Sequence, residues 1–206
     1  MFKLLRKHNH PSPAMEKSPA VQTEAVQDTI VQVIPEEADS LKEKITDLGD
    51  TALEFSKNLL SFLAKEKELS QGIFFTAIKK NDKDVLKYLA GYAFDKEDTE
   101  DIEIEFGEGF TGQVASDGKL MNISDVPDGY LSIVSGLGKA KPASVIIVPL
   151  IYLRNVIAVI ELASFHRFTA QDETYFKEVA SYAAGHFKKI RKKIINSSLC
   201  SVTTQR

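Results

Sequence analysis

Cysteine, tryptophan and surplus positive charge are scarce or missing in this chain. Of 206 residues one is cysteine, Cys200, and none is tryptophan. A single cysteine excludes an intrachain disulfide, a CxxC redox pair and a thiolate cluster for zinc, and fits a reducing, cytoplasmic setting. The formal net charge of -3 speaks against an electrostatic hold on nucleic acid over the whole surface. Such a hold needs an excess of Lys and Arg along one face. No run of ~20 uncharged apolar residues exists, so no transmembrane segment is expected. The basic start Met1-Phe2-Lys3-Leu4-Leu5-Arg6-Lys7 leads into His8-Asn9-His10-Pro11 rather than the apolar core of a signal peptide. His8, His10, His166 and His186 lack metal-ligand spacing. His186 could supply at most one axial ligand to a haem, and is read as a surface or core histidine. No nucleophile elbow, P-loop, HExxH or kinase motif occurs, which removes the usual catalytic constellations.

What remains is an ordinary globular composition, 43% hydrophobic, enough for one good core with extensions. Residues 1–35 carry Pro11, Pro13, Pro19 and Pro35 among Ser, Gln, Glu and Thr, and read as a disordered tail. Over 36–69 the apolar residues Leu41, Ile45, Leu48, Ala52, Phe55, Leu59, Phe62 and Leu69 follow in steps of three and four, interrupted at Glu66. That spacing predicts one amphipathic, coiled-coil-like helix, with Leu41, Ile45, Leu48, Phe55, Leu59 and Phe62 as the candidate dimer seam. Leu53, Leu60 and Leu63 widen the stripe, which suits a bundle or a sheet face better than a two-stranded zipper.

After Gly72 the period changes to two. Residues 73–79 and 85–94 predict a hairpin turned at Asn81-Asp82, and 102–106 a third strand behind an acidic, solvated loop. A short helix over 110–116 and a strand over 119–123 follow. Residues 124–143, with Pro127, Gly129, Gly136, Gly138 and Pro142, form a connection too long for an idle turn. Residues 145–153 and 156–165 give the strongest hairpin signal, apolar at odd and even positions alike, so both faces of the sheet need cover. Thr169 with Asp172 and Glu173 reads as the cap of a long last helix, whose basic end from Lys188 to Lys193 complements the helix dipole.

Gly107-x-Gly109-x-x-Gly112 has the spacing of a dinucleotide-binding loop, with Asp125 near the place of a ribose-binding acid. That fingerprint has meaning only inside a parallel βαβ unit, and the flanking strands read as antiparallel. The glycines are read instead as a sharp strand-to-helix turn. Glu161, within Val159-Ile160-Glu161-Leu162, is an unusual carboxylate, for which exposure at a strand end is the favoured reading and ligand contact the other.

Taken in order, Gly107-Glu108-Gly109-Phe110-Thr111-Gly112-Gln113, Asp125-Val126-Pro127, Ser135-Gly136-Leu137-Gly138, the two β-branched runs and Phe168-Thr169-Ala170-Gln171-Asp172-Glu173 resemble a GAF domain. The likeness covers about 70–188, and is to the type found with bacterial histidine kinases. It implies an α+β fold, a mainly antiparallel sheet with N- and C-terminal helices packed on one face and a long lid-like loop on the other. The domain would run over 70–195 with a tail at 196–206. It further implies a non-enzymatic, cytoplasmic sensory or regulatory module that binds an unidentified small molecule. The module would form a homodimer through its helices and signal to a separate output protein. Candidate ligand residues by the same resemblance are Phe110, Gln113, Asp125, Tyr130, Ser132, Ser135, Leu137 and Glu161. The Asn-Lys pair of cyclic-nucleotide-binding members is absent at Ser164-Phe165, and the cysteines that bilin-binding members and sulfoxide reductases need are absent from the domain. The cofactor is therefore unknown. An adaptor whose cavity is filled by its own lid stays open as the alternative.

Overall fold

The computed structural model describes residues 35–94, 102–135 and 138–202, with backbone alone at 35–39, 135 and 192–202. Of the tail expected at 1–35 Pro35 begins the first helix, and residues 1–34, the acidic loop 95–101, Leu137 and residues 203–206 lie outside the described residues. Twelve elements follow in order: α1 (Pro35–Thr46), α2 (Ala52–Lys67), β1 (Gln71–Lys80), β2 (Lys83–Tyr92), β3 (Glu103–Glu105), α3 (Gly109–Asp117), β4 (Met121–Ile123), β5 (Ile133–Ser135), β6 (Gly138–Ala140), β7 (Ser144–Tyr152), β8 (Asn155–Ser164) and α4 (Ala170–Val202). Six strands make one antiparallel sheet in the order β3-β2-β1-β8-β7-β4, while β5 and β6 pair apart from it within the long loop.

Helices α2 and α4 cover one face of the sheet, with α1 packed on α4, and α3 with residues 126–133 of the long loop covers the other. The alternation of β1 and β8 divides their side chains between two cores. Phe74, Ile160 and Leu162 meet Phe55, Leu59, Leu63, Phe176 and Phe187 on the helix side. Ile73, Phe75 and Val159 meet Val114, Ala115 and Val126 on the lid side. The hairpin turns are built from residues in the left-handed region: Asn81 and Asp82 (φ 49° and 62°) as expected, and Leu153 and Arg154 (φ 47° and 66°), one residue earlier than expected. Positive φ at both central residues gives the twist that a two-residue hairpin needs.

The single helix expected over 36–69 is two helices. Gly49, at φ 151°, breaks it, and a Cβ there would stand 2.8 Å from Glu54 Cγ and 2.9 Å from the Phe55 nitrogen. Thr51 then caps α2, its hydroxyl oxygen accepting from the Glu54 N–H at 3.2 Å. Asn58 Nδ2 donates to the Leu48 carbonyl at 2.7 Å, and His186 Nε2 lies 2.9 Å from the Gly49 carbonyl oxygen with its ring 5.0 Å from Phe55. His186 is thus a clamp on the α1–α2 turn rather than a haem ligand.

The break changes what the apolar stripe does. Ile45, Phe55 and Leu59 are fully buried within their own chain, and Leu41, Leu48 and Phe62 pack partly buried against the same core. The stripe proposed as a dimer seam is used by the sheet and α4 of the same chain, which its width suits. At the other end α4 runs to Val202, into the segment expected to be a tail, since neither Gly nor Pro follows Gly185 to stop it. Thr169 and Asp172 cap α4 reciprocally: the Thr169 N–H and hydroxyl donate to the carboxylate at 2.9 and 2.7 Å, and the Asp172 N–H donates back at 3.2 Å. Partial burial opposes the charge on Asp172, but Lys67 at 2.8 Å and the Thr169 bonds prevail and hold its carboxyl down at about 2.

Candidate ligand site on the lid face

The glycine-rich turn sets α3 against the sheet. Gly107 and Gly109 lie at φ 89° and 59°, conformations a side chain rarely adopts, and let the chain reverse out of β3. Gly112 serves close approach instead, because a Cβ there would fall 2.3 Å from the Glu105 carbonyl oxygen. Its own carbonyl accepts from the Gly107 N–H at 2.7 Å. The helix ends at Gly118, left-handed, whose N–H reaches the Val114 carbonyl at 2.9 Å. These contacts account for all three spaced glycines without a phosphate, and the antiparallel sheet rules out the dinucleotide unit.

With α3 so placed, residues 111, 114 and 115 share its inner face. Val114 and Ala115 are buried in the lid-side core, and Thr111 is 4% exposed. Its hydroxyl donates to Glu161 Oε2 at 2.6 Å. Glu161 does not lie at a strand end. It sits within β8, in a cross-strand row that reads Gly91, Ile73, Glu161, Ile147, Met121 from β2 to β4, apolar on both sides of the carboxylate. The second oxygen accepts from the Tyr130 hydroxyl at 3.0 Å, and the Tyr130 ring meets Phe110 edge-on at 5.1 Å. One carboxylate on a central strand therefore holds both elements that cover this face, α3 through Thr111 and the long loop through Tyr130. Val126, 2% exposed, pins the start of that loop, and Asp128 meets Lys141 at 2.6 Å across its base.

Burial pushes the Glu161 carboxyl above its ordinary value, against the lowering effect of its two hydroxyl donors. The Tyr130 hydroxyl is likewise raised, by burial first and the Glu161 charge second. Among the described residues no Lys, Arg or His pairs with Glu161. No group of His, Cys, Asp and Glu that could hold a metal occurs among them either. A cavity of about 550 Å³ lies elsewhere, between the α3–β4 turn, β7 and α4, lined by Leu120, Val148, Ile151, Lys177 and Ala180 among others. None of the lid-face polar groups lines it, so the chemistry and that opening are separate features.

A model of the GAF domain matches residues 49–187. The chain belongs to the GAF domain family. Solved GAF structures share its fold. The GAF domain of a Coxiella burnetii phosphoenolpyruvate-protein phosphotransferase is 15% identical with a TM-score of 0.62, covering 77% of this chain and 96% of that one. Its Acinetobacter counterpart is 14% identical, with a TM-score of 0.61 and coverages of 77% and 94%. A free methionine-R-sulfoxide reductase from Neisseria meningitidis, solved in complex with its substrate, is 21% identical with a TM-score of 0.58 and coverages of 77% and 90%. No curated protein sequence matches the chain significantly. The GAF match begins at residue 49 and so takes in α2, which packs into the same core as the sheet.

Within this GAF fold Phe110, Tyr130 and Glu161 of the expected ligand residues come together. Gln113 faces solvent because it lies on the opposite side of α3 from Thr111 and Val114. Asp125 is fully exposed, 4.0 Å from Arg167, and Ser132 is exposed on the loop. Ser135 is placed by its backbone in β5, while Leu137 is outside the described residues. Thr111 was the residue not anticipated. The signal was present, since 111, 114 and 115 stand one turn apart on one helix stripe.

Glu161 also makes the stability of the GAF core depend on pH. Its folded value lies above its ordinary 4.5, so its contribution is complete below that value and is lost as pH rises through the folded one. Glu161→Gln removes this titration and keeps an acceptor for one hydroxyl. The variant is expected to unfold at a higher temperature than wild type at about pH 8, the gap closing as pH falls toward the ordinary carboxylate range. Thermal unfolding at a series of pH values checks this. A wild type that gains on the variant as pH rises would show the carboxylate to be compensated.

Proposed function

We propose that this chain is a non-enzymatic regulatory GAF module that binds a small molecule on the lid face and reports its occupancy to a separate protein. The observation that carries this reading is the Glu161 carboxylate, bonded at once to Thr111 of α3 and Tyr130 of the loop. A ligand that takes over either bond alters the cover of the sheet. The path outward is also built. Arg191 of α4 donates to the Ile157 carbonyl of β8, the strand that carries Glu161, at 3.1 Å and to the Ala77 carbonyl of the adjacent β1. Movement of these strands therefore acts on α4, whose backbone continues as helix from Arg191 to Val202. Homodimerisation through the outer sides of the helices, at a cytoplasmic site, belongs to this proposal. It no longer draws on the apolar stripe, which the chain's own core occupies.

That two solved structures of this fold are free methionine-R-sulfoxide reductases raises catalysis as a different reading. Thiol chemistry requires a reactive cysteine at the site, and the single Cys200 belongs to the far end of α4. A second reading, an adaptor with a self-filled cavity, is favoured by one observation: Tyr130 itself covers Glu161. Native mass spectrometry of freshly purified protein, joined to amide hydrogen exchange, separates the two. The regulatory reading expects a small adduct lost on denaturation and rapid exchange in residues 126–134. A clean mass, with exchange there as slow as in β8, would overturn it in favour of the adaptor. The same spectra give monomer or dimer directly.

A further inference from the structure

The polar groups of the lid face are acceptors in search of donors. An ionised carboxylate offers about four acceptor positions. Thr111 and Tyr130 fill one on each oxygen of Glu161, and among the described residues no cation completes the set. A second acceptor stands on the adjacent strand. Gln71, 7% exposed, pairs with Ala163 as Ile73 pairs with Glu161, so it shares the face and is the diagonal neighbour of the carboxylate. Such neighbours stand about 7–8 Å apart. Gln71 Nε2 donates to the Ala93 carbonyl at 3.2 Å, while its Oε1 is buried with no hydrogen-bond partner. Ile73 and Ile147 flank Glu161 in the sheet, and the same lid-side core contains Phe75 with Phe110 packed against it.

A half-buried carboxylate without a counter-charge among the described residues disfavours a second anion beside it, and a purely apolar ligand would leave both acceptors as they are. A ligand with several N–H donors and a positive charge satisfies both, and the aromatic rings of Phe110 and Tyr130 attract a cation besides. We propose that the site takes an organic cation, an ammonium or amidinium head on a compact apolar body, whose N–H groups bond to Glu161 and the free Gln71 oxygen. To enter it displaces the Tyr130 hydroxyl from the carboxylate and so releases the lid. This inference rests on the regulatory reading above and adds the chemical class.

Benzamidinium, benzamide and benzoate test it, three probes of one ring and nearly one size that carry charges of +1, 0 and -1. Each is titrated into the ¹⁵N-labelled full chain and followed by amide shifts at residues 111, 130 and 161. Benzamidinium is expected to bind saturably there, roughly tenfold or more tighter than benzamide, because charge-assisted hydrogen bonds are about twice as strong as neutral ones. Benzoate is expected to leave those amides in place. In Glu161→Gln the preference for the cation should disappear while the amides of α4 keep their positions, which shows the variant folded. Benzamide or benzoate binding as tightly as benzamidinium would overturn the cation and leave a lid-face binding site standing. A preference that survives in Glu161→Gln would overturn it too. Absence of any shift at these amides with all three probes also sinks the cation, and the regulatory reading then stands or falls on its own mass spectrum.

Discussion

Replacing Phe187 with alanine is expected to remove about 3–5 kcal/mol of unfolding free energy, the range for truncating a fully buried aromatic. Phe187 is 0% exposed and ties three elements together: its ring centroid is 5.0 Å from that of Phe74 on β1 and 6.1 Å from that of Phe55 on α2. Truncation opens a void where helix and sheet layers meet, and the neighbours are fixed by other packing. His186 next to it holds the α1–α2 turn at Gly49, so collapse of α4 into the void would pull on that clamp. Since a domain's whole stability is about 5–15 kcal/mol, the variant will be poorly folded at 37 °C. Urea unfolding with a shared slope checks the value. Leu153→Ala, at a side chain 77% exposed on the β7–β8 turn, serves as control and should change stability by less than about 0.5 kcal/mol. A loss below about 1 kcal/mol at Phe187 would mean that the helix layer is far more plastic than a close-packed core allows.

Gly112→Ala and Gly185→Ala are expected to move stability in opposite directions, although both glycines lie inside helices. At Gly185 nothing stands within 4 Å of an added Cβ, and alanine should stabilise α4 by about 0.5–1 kcal/mol through its helix propensity. At Gly112 the same methyl would lie 2.3 Å from the Glu105 carbonyl oxygen, 3.2 Å from the Gly107 nitrogen and 3.3 Å from Ile104 Cγ2. Two of those are main chain and cannot rotate away. The propensity gain of about 1 kcal/mol is outweighed, because forced overpacking costs about 1–3 kcal/mol and more against rigid backbone. To relieve the clash α3 must move off β3, and Thr111 moves with it. The variant should therefore lose stability and also loosen the Thr111–Glu161 contact, visible as faster exchange of α3 amides. Equal and positive effects at the two glycines would show that the approach of α3 to β3 is not tight.

Much of the architecture was legible because period and turn chemistry are local. The switch from a helical to a strand period after Gly72, the Asn81-Asp82 turn, the two-sided apolar strands β7 and β8 and the Thr169 cap all follow from neighbouring residues. The division of 36–69 into two helices was not legible. Steps of three and four continue across Gly49, and two short helices packed on a sheet produce the same stripe as one long coil. Which face that stripe buries depends on residues more than a hundred positions away, such as Phe187. The site was half legible. Phe110, Tyr130 and Glu161 were recognised singly, but their meeting depends on the register of β8 against β1 and β7, and a shift of one residue would turn Glu161 to the helix side. Gln113 was a candidate by resemblance alone, whereas helix geometry decides that Thr111, and not Gln113, looks inward.

Among the described residues Arg191 bonds only to main chain, to the carbonyls of Ala77 and Ile157. An anchorage of this kind reads no side chain at its far end. The sheet can change residue at either strand position through sequence drift without losing its hold on α4. Position 191 has no such freedom. A lysine carries its charge on a single nitrogen and offers no planar fork to span carbonyls on two strands. The helix is thus free to acquire new outward-facing residues while one guanidinium keeps it attached to the strands beneath.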